Sequence, residues 1–186
     1  MLSGMVDTLM LSSVGDQAVG AVGTANTYIG VFIIMYSVVS MGMLAVMTQN
    51  IGAGRPGIAC QAKTLGLWFN GILGVVMSVF LFFCSDGILY VVGIAPALKE
   101  TAVQYLRIVG GGSILNAMIP ILAGYLRAFG YTKQPLIATV TGNILNFILN
   151  AVFLFRFHLG VQGVASATVI SKVVNLSLIH ISEPTR

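Results

Sequence analysis

A polar stripe on an apolar helix is the first place where this sequence could do chemistry. Asn143, Asn146 and Asn150 recur at steps of three and four residues, so their amides share one face of a helix, which Thr139 extends by one turn. An unpaired amide in hydrocarbon costs about 2–7 kcal/mol, so this face must point into the protein or into a wet cavity. The acidic residue embedded in another apolar stretch is Asp7. We therefore expect Asp7 and the asparagine stripe to face one another inside a helical bundle.

The composition indicates that most of the chain is solvated by lipid. Of the 186 residues, 57% are hydrophobic and 8% are charged, whereas about a quarter are charged in a soluble domain. The formal net charge of +4 comes from basic residues scattered in short connections, which is typical of a topology signal rather than a nucleic-acid surface. The sequence predicts an all-α polytopic protein of the cytoplasmic membrane, in contact with lipid and with no nucleic-acid partner.

Six transmembrane helices are expected, the first and last of them truncated. Residues 85–100 are predicted to form a loop with at most one interfacial turn, and residues 49–63 a connection. Pro120 predicts a kink near Asn116, because proline removes one helical hydrogen bond and clashes with the carbonyl four residues back. The predicted spans are 1–14, 18–47, 64–84, 101–129, a fifth that follows Pro135 and ends near 155, and 161–175.

Both ends of the sequence suggest a fragment. Too few residues precede Asp7 for the first helix to cross about 30 Å of hydrocarbon. Residues 176–186, LSLIHISEPTR, match the translation of a transposase adaptor used to prepare sequencing libraries. We expect 176–186 to be a non-native tail and 1–175 to be the native six-helix unit.

The basic residues of the connections predict the orientation in the membrane. Arg55, Lys63, Arg127 and Lys133 belong to the second and fourth connections, which lie on one side, whereas the other side carries a mixture of acidic and basic residues. The positive-inside rule places these four residues in the cytoplasm.

Four motifs, in a fixed order, carry a family resemblance. They are VDTLMLSSVGDQAVGAVG, TQNIGAGR, GYLRAFGYTKQP, and NILNFILN followed by LGVQGVASATV. Together they resemble the N-terminal half of a multidrug and toxic compound extrusion (MATE) transporter, from residue 1 to about 175. The resemblance implies two six-helix lobes around a central cavity, with only the first lobe present here and inactive alone. It also implies export of cationic organic small molecules, driven by entry of Na⁺ or H⁺ and without a cofactor.

The same resemblance implies roles for individual residues. Asp7 matches the acidic position that relatives use to bind a cation or proton, and Asn146, Asn150 and Thr168 match its partners on the fifth and sixth helices. Several relatives carry a second acid where this chain has Asn150, so here Asp7 relies on burial to favour a bound proton. Na⁺ is equally reasonable, because hard cations take oxygen ligands and all four residues offer one. The sequence does not choose between the two ions.

Other polar residues within the spans have structural explanations as well as functional ones. Asn26, Tyr36, Asn116 and Asn143 could line a cavity, although interhelical hydrogen bonding is favoured for Asn143 and shaping of the fourth helix for Asn116. Lys172 lies in an apolar run and is expected to snorkel to the membrane surface.

Two alternatives to a drug antiporter stay open at this point. A lipid-linked saccharide flippase of the same superfamily shares the helical plan but lines its cavity with several basic residues, of which these spans contain few. An intramembrane enzyme needs two aspartates, a serine with a histidine, or an HExxH motif on its helices, and the sequence offers none of them. The sequence therefore favours the antiporter, with no catalytic residue.

Overall fold

The computed structural model describes residues 2–182, with side chains from residue 4 onward, and the described chain consists of helices joined by short breaks. The helices are α1 (Leu2–Leu11), α2 (Asp16–Gly52), α3 (Pro56–Val91), α4 (Pro96–Gly111), α5 (Ser113–Ala128), α6 (Lys133–Ala151) with a π-helical extension (Val152–Arg156), and α7 (Gly160–Ile181). No strand occurs in this range.

Four helices of the described chain, α2, α3, α7 and α6 with its extension, are long and apolar enough to cross a bilayer. The pair α4 and α5, which bends by 41° at its break, passes the same test when the two helices are taken together, which gives up to five spans. The ten-residue α1 packs against α2, α6 and α7 and corresponds to the first predicted segment. The predicted all-α polytopic fold is therefore confirmed.

The breaks between helices are shorter than the sequence suggested. Only residues 53–55 separate α2 from α3, where Gly54 has φ +72° and Pro56 opens the next helix. The predicted loop over 85–100 is wrong, because α3 continues through its apolar end to Val91 and α4 begins at Pro96. Gly93, with φ +73°, makes the turn between them.

The bend in the fourth span lies at Gly112 and not near Asn116. Gly112 is the last of three consecutive glycines, which are poor helix formers, whereas Pro120 lies within a continuous α5. Gly110 also lies against α3, where an added Cβ would come 2.8 Å from the Leu81 Cβ. The glycine run therefore combines the bend of this span with a close approach to α3.

Small residues and one buried amide hold α2, α3 and α5 together. A Cβ on Gly74 of α3 would lie 2.9 Å from both the Ala117 Cβ and the Ile114 Cα of α5, so the two backbones are almost in contact. One turn earlier, the fully buried Asn70 amide nitrogen donates to the Ala117 carbonyl at 3.0 Å. It also reaches the Ser40 hydroxyl at 3.2 Å and the Tyr36 carbonyl at 3.3 Å, both on α2.

Charged residues gather at the two ends of α3. At one end the Lys63 ammonium lies 4.3 Å from the centre of the Tyr125 ring. At the other end Asp86 pairs with Arg107 and, at 3.9 Å, with Lys99. The cytoplasmic location of the first end stays a prediction.

The last helix continues beyond its predicted end at 175. Residues 176–181 belong to α7, and Ile179 is fully buried beside Leu122, Leu126 and Ala138. The adaptor prediction concerns the origin of 176–186 and stays a prediction, and residues 183–186 lie outside the described range.

Candidate cation-binding site

Asp7 is the only acidic side chain that is buried in the described part of the chain, with 0% of its surface exposed. It lies in the second half of α1, where α1 meets α6 and α7. A buried carboxylate is stable only when other groups compensate for lost water, so its surroundings decide what it can bind.

Three different helices donate hydrogen bonds to the Asp7 carboxylate. The Asn150 amide of α6 donates to Oδ1 at 2.8 Å. The Thr168 hydroxyl of α7 and the Tyr105 hydroxyl of α4 donate to Oδ2 at 2.7 Å and 3.0 Å. Hydrogen bonds to an ionised acceptor are about twice as strong as neutral ones, so an ionised Asp7 would hold α1 to the bundle more tightly than a protonated Asp7.

Asn146 connects the groups that surround Asp7. Its amide nitrogen donates to the Thr168 hydroxyl at 3.2 Å, and its amide oxygen lies 3.5 Å from the Asn150 nitrogen. Asn146 and Asn150 are fully buried and Thr168 is 2% exposed. The structure therefore brings Asp7, Asn146, Asn150 and Thr168 into one cluster.

The helical repeat of α6 explains why two of the three stripe asparagines reach Asp7. The buried positions of α6 recur mostly at steps of four, which places Asn146 and Asn150 at the end of one packed row: Ala138, Gly142, Asn146 and Asn150. Gly142 allows α7 to approach, since an added Cβ would lie 3.2 Å from the Asn175 Cβ. Asn143 is half-buried beside this row, and its side chain makes no hydrogen bond to any described residue.

Tyr105 belongs to the cluster although the sequence analysis did not select it. It is fully buried, and its hydroxyl lies 3.2 Å from the Asn26 amide oxygen as well as 3.0 Å from Asp7. Asn26 of α2 therefore joins the network, and it also packs against α1, because a Cβ on Gly4 would lie 3.4 Å from its amide nitrogen. The available signal was the position of Tyr105 on the buried face of an amphipathic helix.

The other two predicted cavity residues lie apart from this cluster. Tyr36 is 1% exposed, and its backbone carbonyl takes part in the Asn70 contacts. Asn116 is half-buried on α5, and its amide nitrogen has no hydrogen-bond partner in the described chain. Neither side chain hydrogen-bonds to the residues around Asp7.

The cluster has the chemistry of a site for a monovalent cation or a proton. The buried Asn150 amide oxygen has no partner, and half a rotation of that amide would turn this oxygen towards Asp7. With oxygens of Asp7, Asn146 and Thr168 it forms a set of hard ligands. A single carboxylate balances one positive charge. The residues described include no group of three His, Cys, Asp or Glu side chains that could hold a metal ion.

Comparison with known proteins places this bundle in a family. Residues 1–152 match the family model described as MatE. The Bacillus subtilis (strain 168) protein named "Uncharacterized transporter YisQ" is 33% identical over 180 residues, which cover 95% of this chain and 40% of that protein. Multidrug resistance protein MdtK of Klebsiella pneumoniae (strain 342) is 27% identical over 175 residues, which cover 89% of this chain and 38% of that protein.

A solved structure supports the same assignment. It is described as the inward-facing conformation of a multidrug resistance MATE family transporter of the MOP superfamily, and it superposes on this chain with a TM-score of 0.92 at 25% identity. The match covers 100% of this chain and 42% of that structure. The chain thus spans about 40% of the length of the relatives it matches. By the family match over 1–152 and this shared fold, the chain is a multi-pass protein of the cell membrane and belongs to the MatE (MATE) family of transporters.

Proposed function

We propose that this chain forms the first lobe of a two-lobe antiporter, which exports cationic organic compounds in exchange for Na⁺ or H⁺. The observation that carries the proposal is Asp7, the one carboxylate buried among the described residues, which accepts hydrogen bonds from α4, α6 and α7. A second lobe and the surrounding lipid are the expected partners. The transport cycle requires no covalent step, no cofactor and no catalytic residue.

Neutralisation of Asp7 would couple ion binding to movement of α1. A charge-assisted hydrogen bond contributes about 1.5–3 kcal/mol, whereas a neutral one contributes about 0.5–1.5 kcal/mol. A bound proton or Na⁺ would therefore weaken the three bonds that attach α1 to the bundle. Weaker attachment would allow α1 to shift and to reshape the central cavity that the two lobes are expected to enclose.

Competition for one negative site would make this movement an exchange. A drug cation and the coupling ion are both stabilised by the Asp7 charge, so the binding of one disfavours the binding of the other. Each ligand then drives the release of its competitor on the side of the membrane where its own concentration is high.

A gradient experiment tests the proposal. Proteoliposomes would contain the full reading frame to which this chain belongs, because the chain spans about 40% of its relatives. We expect movement of a cationic dye to follow an imposed Na⁺ gradient or an imposed H⁺ gradient, and the effective gradient identifies the ion. Dye movement that follows neither gradient would contradict the antiporter.

A further inference from the structure

Lys172 is a charged residue inside the bundle that the proposed ion site does not use. It lies on α7 one turn after Thr168, so the two side chains share a face of the helix. Lys172 is half-buried, and no described residue forms a hydrogen bond or an ion pair with its ammonium group. A positive charge within a membrane span is costly and needs a counter-charge.

The position of Lys172 argues against the snorkelling that the sequence suggested. Because α7 begins at Gly160, Lys172 lies about 18 Å along the helix at a rise of 1.5 Å per residue, which is close to the middle of about 30 Å of hydrocarbon. A four-carbon side chain is too short to carry its ammonium group to either end. The charge therefore stays near the middle of the span.

Asp7 lies on the same side of α7 as Lys172, because it accepts a hydrogen bond from Thr168, one turn before Lys172, and its charge is opposite to that of the ammonium group. The two form no ion pair in the described chain, and Asp7 instead accepts hydrogen bonds from the hydroxyls of Thr168 and Tyr105 and from the Asn150 amide. The interior of the lobe thus contains a negative centre beside Thr168 and a positive centre one turn, about 6 Å, further along α7. This arrangement is dipolar rather than simply negative.

We propose that Lys172 is a specificity-determining residue that selects substrates carrying a carboxylate as well as a cationic centre. The cationic centre of the substrate competes with the coupling ion for Asp7, and the substrate carboxylate binds the Lys172 ammonium. A substrate with only a positive charge gains nothing from Lys172 and is repelled by it. This inference rests on the proposed antiporter and adds the class of substrate.

Two dyes that differ in one ester test the proposal. Rhodamine B carries a free carboxylate, whereas its ethyl ester is a simple cation with the same rings. In proteoliposomes with the full reading frame, we expect Lys172→Met to lower export of rhodamine B about tenfold relative to the ester, the effect of losing one charged contact. Lys172→Arg, which keeps the charge, and Lys133→Met, which removes an exposed lysine, should leave the ratio of the two rates unchanged.

The remaining outcomes separate this inference from the antiporter. An unchanged ratio in Lys172→Met, with both dyes still exported, overturns the role of Lys172 and leaves the antiporter intact. If export of both dyes falls equally, Lys172 has a structural role, for example as the partner of an acid in the second lobe. That outcome also overturns the proposal that Lys172 selects the substrate. Failure of the unaltered protein to export either dye overturns both proposals.

Discussion

Asp7→Asn removes the negative charge of the proposed site but keeps the size and shape of the side chain. The asparagine Oδ1 can accept the hydroxyls of Thr168 and Tyr105 that Oδ2 of Asp7 accepts now. Its amide nitrogen would face the Asn150 amide nitrogen, but Asn150 can turn, because its own oxygen has no partner. That rotation gives the new amide nitrogen an acceptor, and it moves the Asn150 nitrogen to the buried position where the Asn150 oxygen has no partner now, so the substitution adds at most one unsatisfied donor. We therefore expect a folded protein that no longer transports.

The stability of Asp7→Asn is best compared with that of Asp7→Ala, because Asp7→Ala removes the charge and the hydrogen-bond acceptors together. In this variant the Thr168 hydroxyl can still donate to the Val164 carbonyl, at 3.1 Å, and the Tyr105 hydroxyl can still donate to the Asn26 amide oxygen, at 3.2 Å. The Asn150 amide nitrogen keeps only a 3.5 Å contact with Asn146. A buried donor left unsatisfied costs about 1–3 kcal/mol, and a small cavity adds to it. We expect Asp7→Ala to be about 2–3 kcal/mol less stable than Asp7→Asn.

Dye export and thermal unfolding of the same purified variants measure the two effects. Both Asp7 variants should lose ion-driven dye export, whereas the control Asp16→Asn, which removes an exposed acid at the start of α2, should export at the parent rate. Undiminished export by Asp7→Asn would refute the assignment of Asp7. Equal stability of Asp7→Asn and Asp7→Ala would refute the hydrogen-bond account of the cluster.

Two further predictions concern the packing of α3 and are measured by thermal unfolding in detergent. Asn70→Ala should lower the free energy of unfolding by about 2–3 kcal/mol, because it removes the amide that donates to both α2 and α5. The control Asn50→Ala, near the end of α2, should change the free energy of unfolding little. Equal effects of the two substitutions would contradict the role of Asn70. Gly74→Ala should destabilise by about 1–3 kcal/mol, because its Cβ would lie 2.9 Å from α5. In the control Gly71→Ala, the added Cβ would have no atom within 4 Å, so the free energy of unfolding should stay the same or rise by up to about 1 kcal/mol. If Gly74→Ala is as stable as the parent, α3 and α5 can move apart without cost.

Local errors in the predicted helices have a common physical cause. Composition identified the spans, because long apolar runs are stable only in hydrocarbon or a protein core. The end of α3 at Val91 and the bend at Gly112 depend instead on which neighbouring helix covers each turn. Proline was given too much weight at position 120, since membrane helices tolerate proline where neighbouring groups satisfy the backbone.

The sequence by itself determined the membrane fold, and it predicted that Asp7 would face the asparagine stripe, of which Asn146 and Asn150 join the Asp7 cluster and Asn143 does not. Both follow from the cost of leaving polar groups in lipid, which depends on residue type and helical repeat alone. Only the tertiary structure brought Tyr105 and Asn26 to Asp7, and it left Lys172 near the middle of its span with no hydrogen bond or ion pair to another described residue. Those outcomes depend on how α1, α2, α4 and α7 pack, because contacts between residues far apart in the chain leave no periodic signal in it.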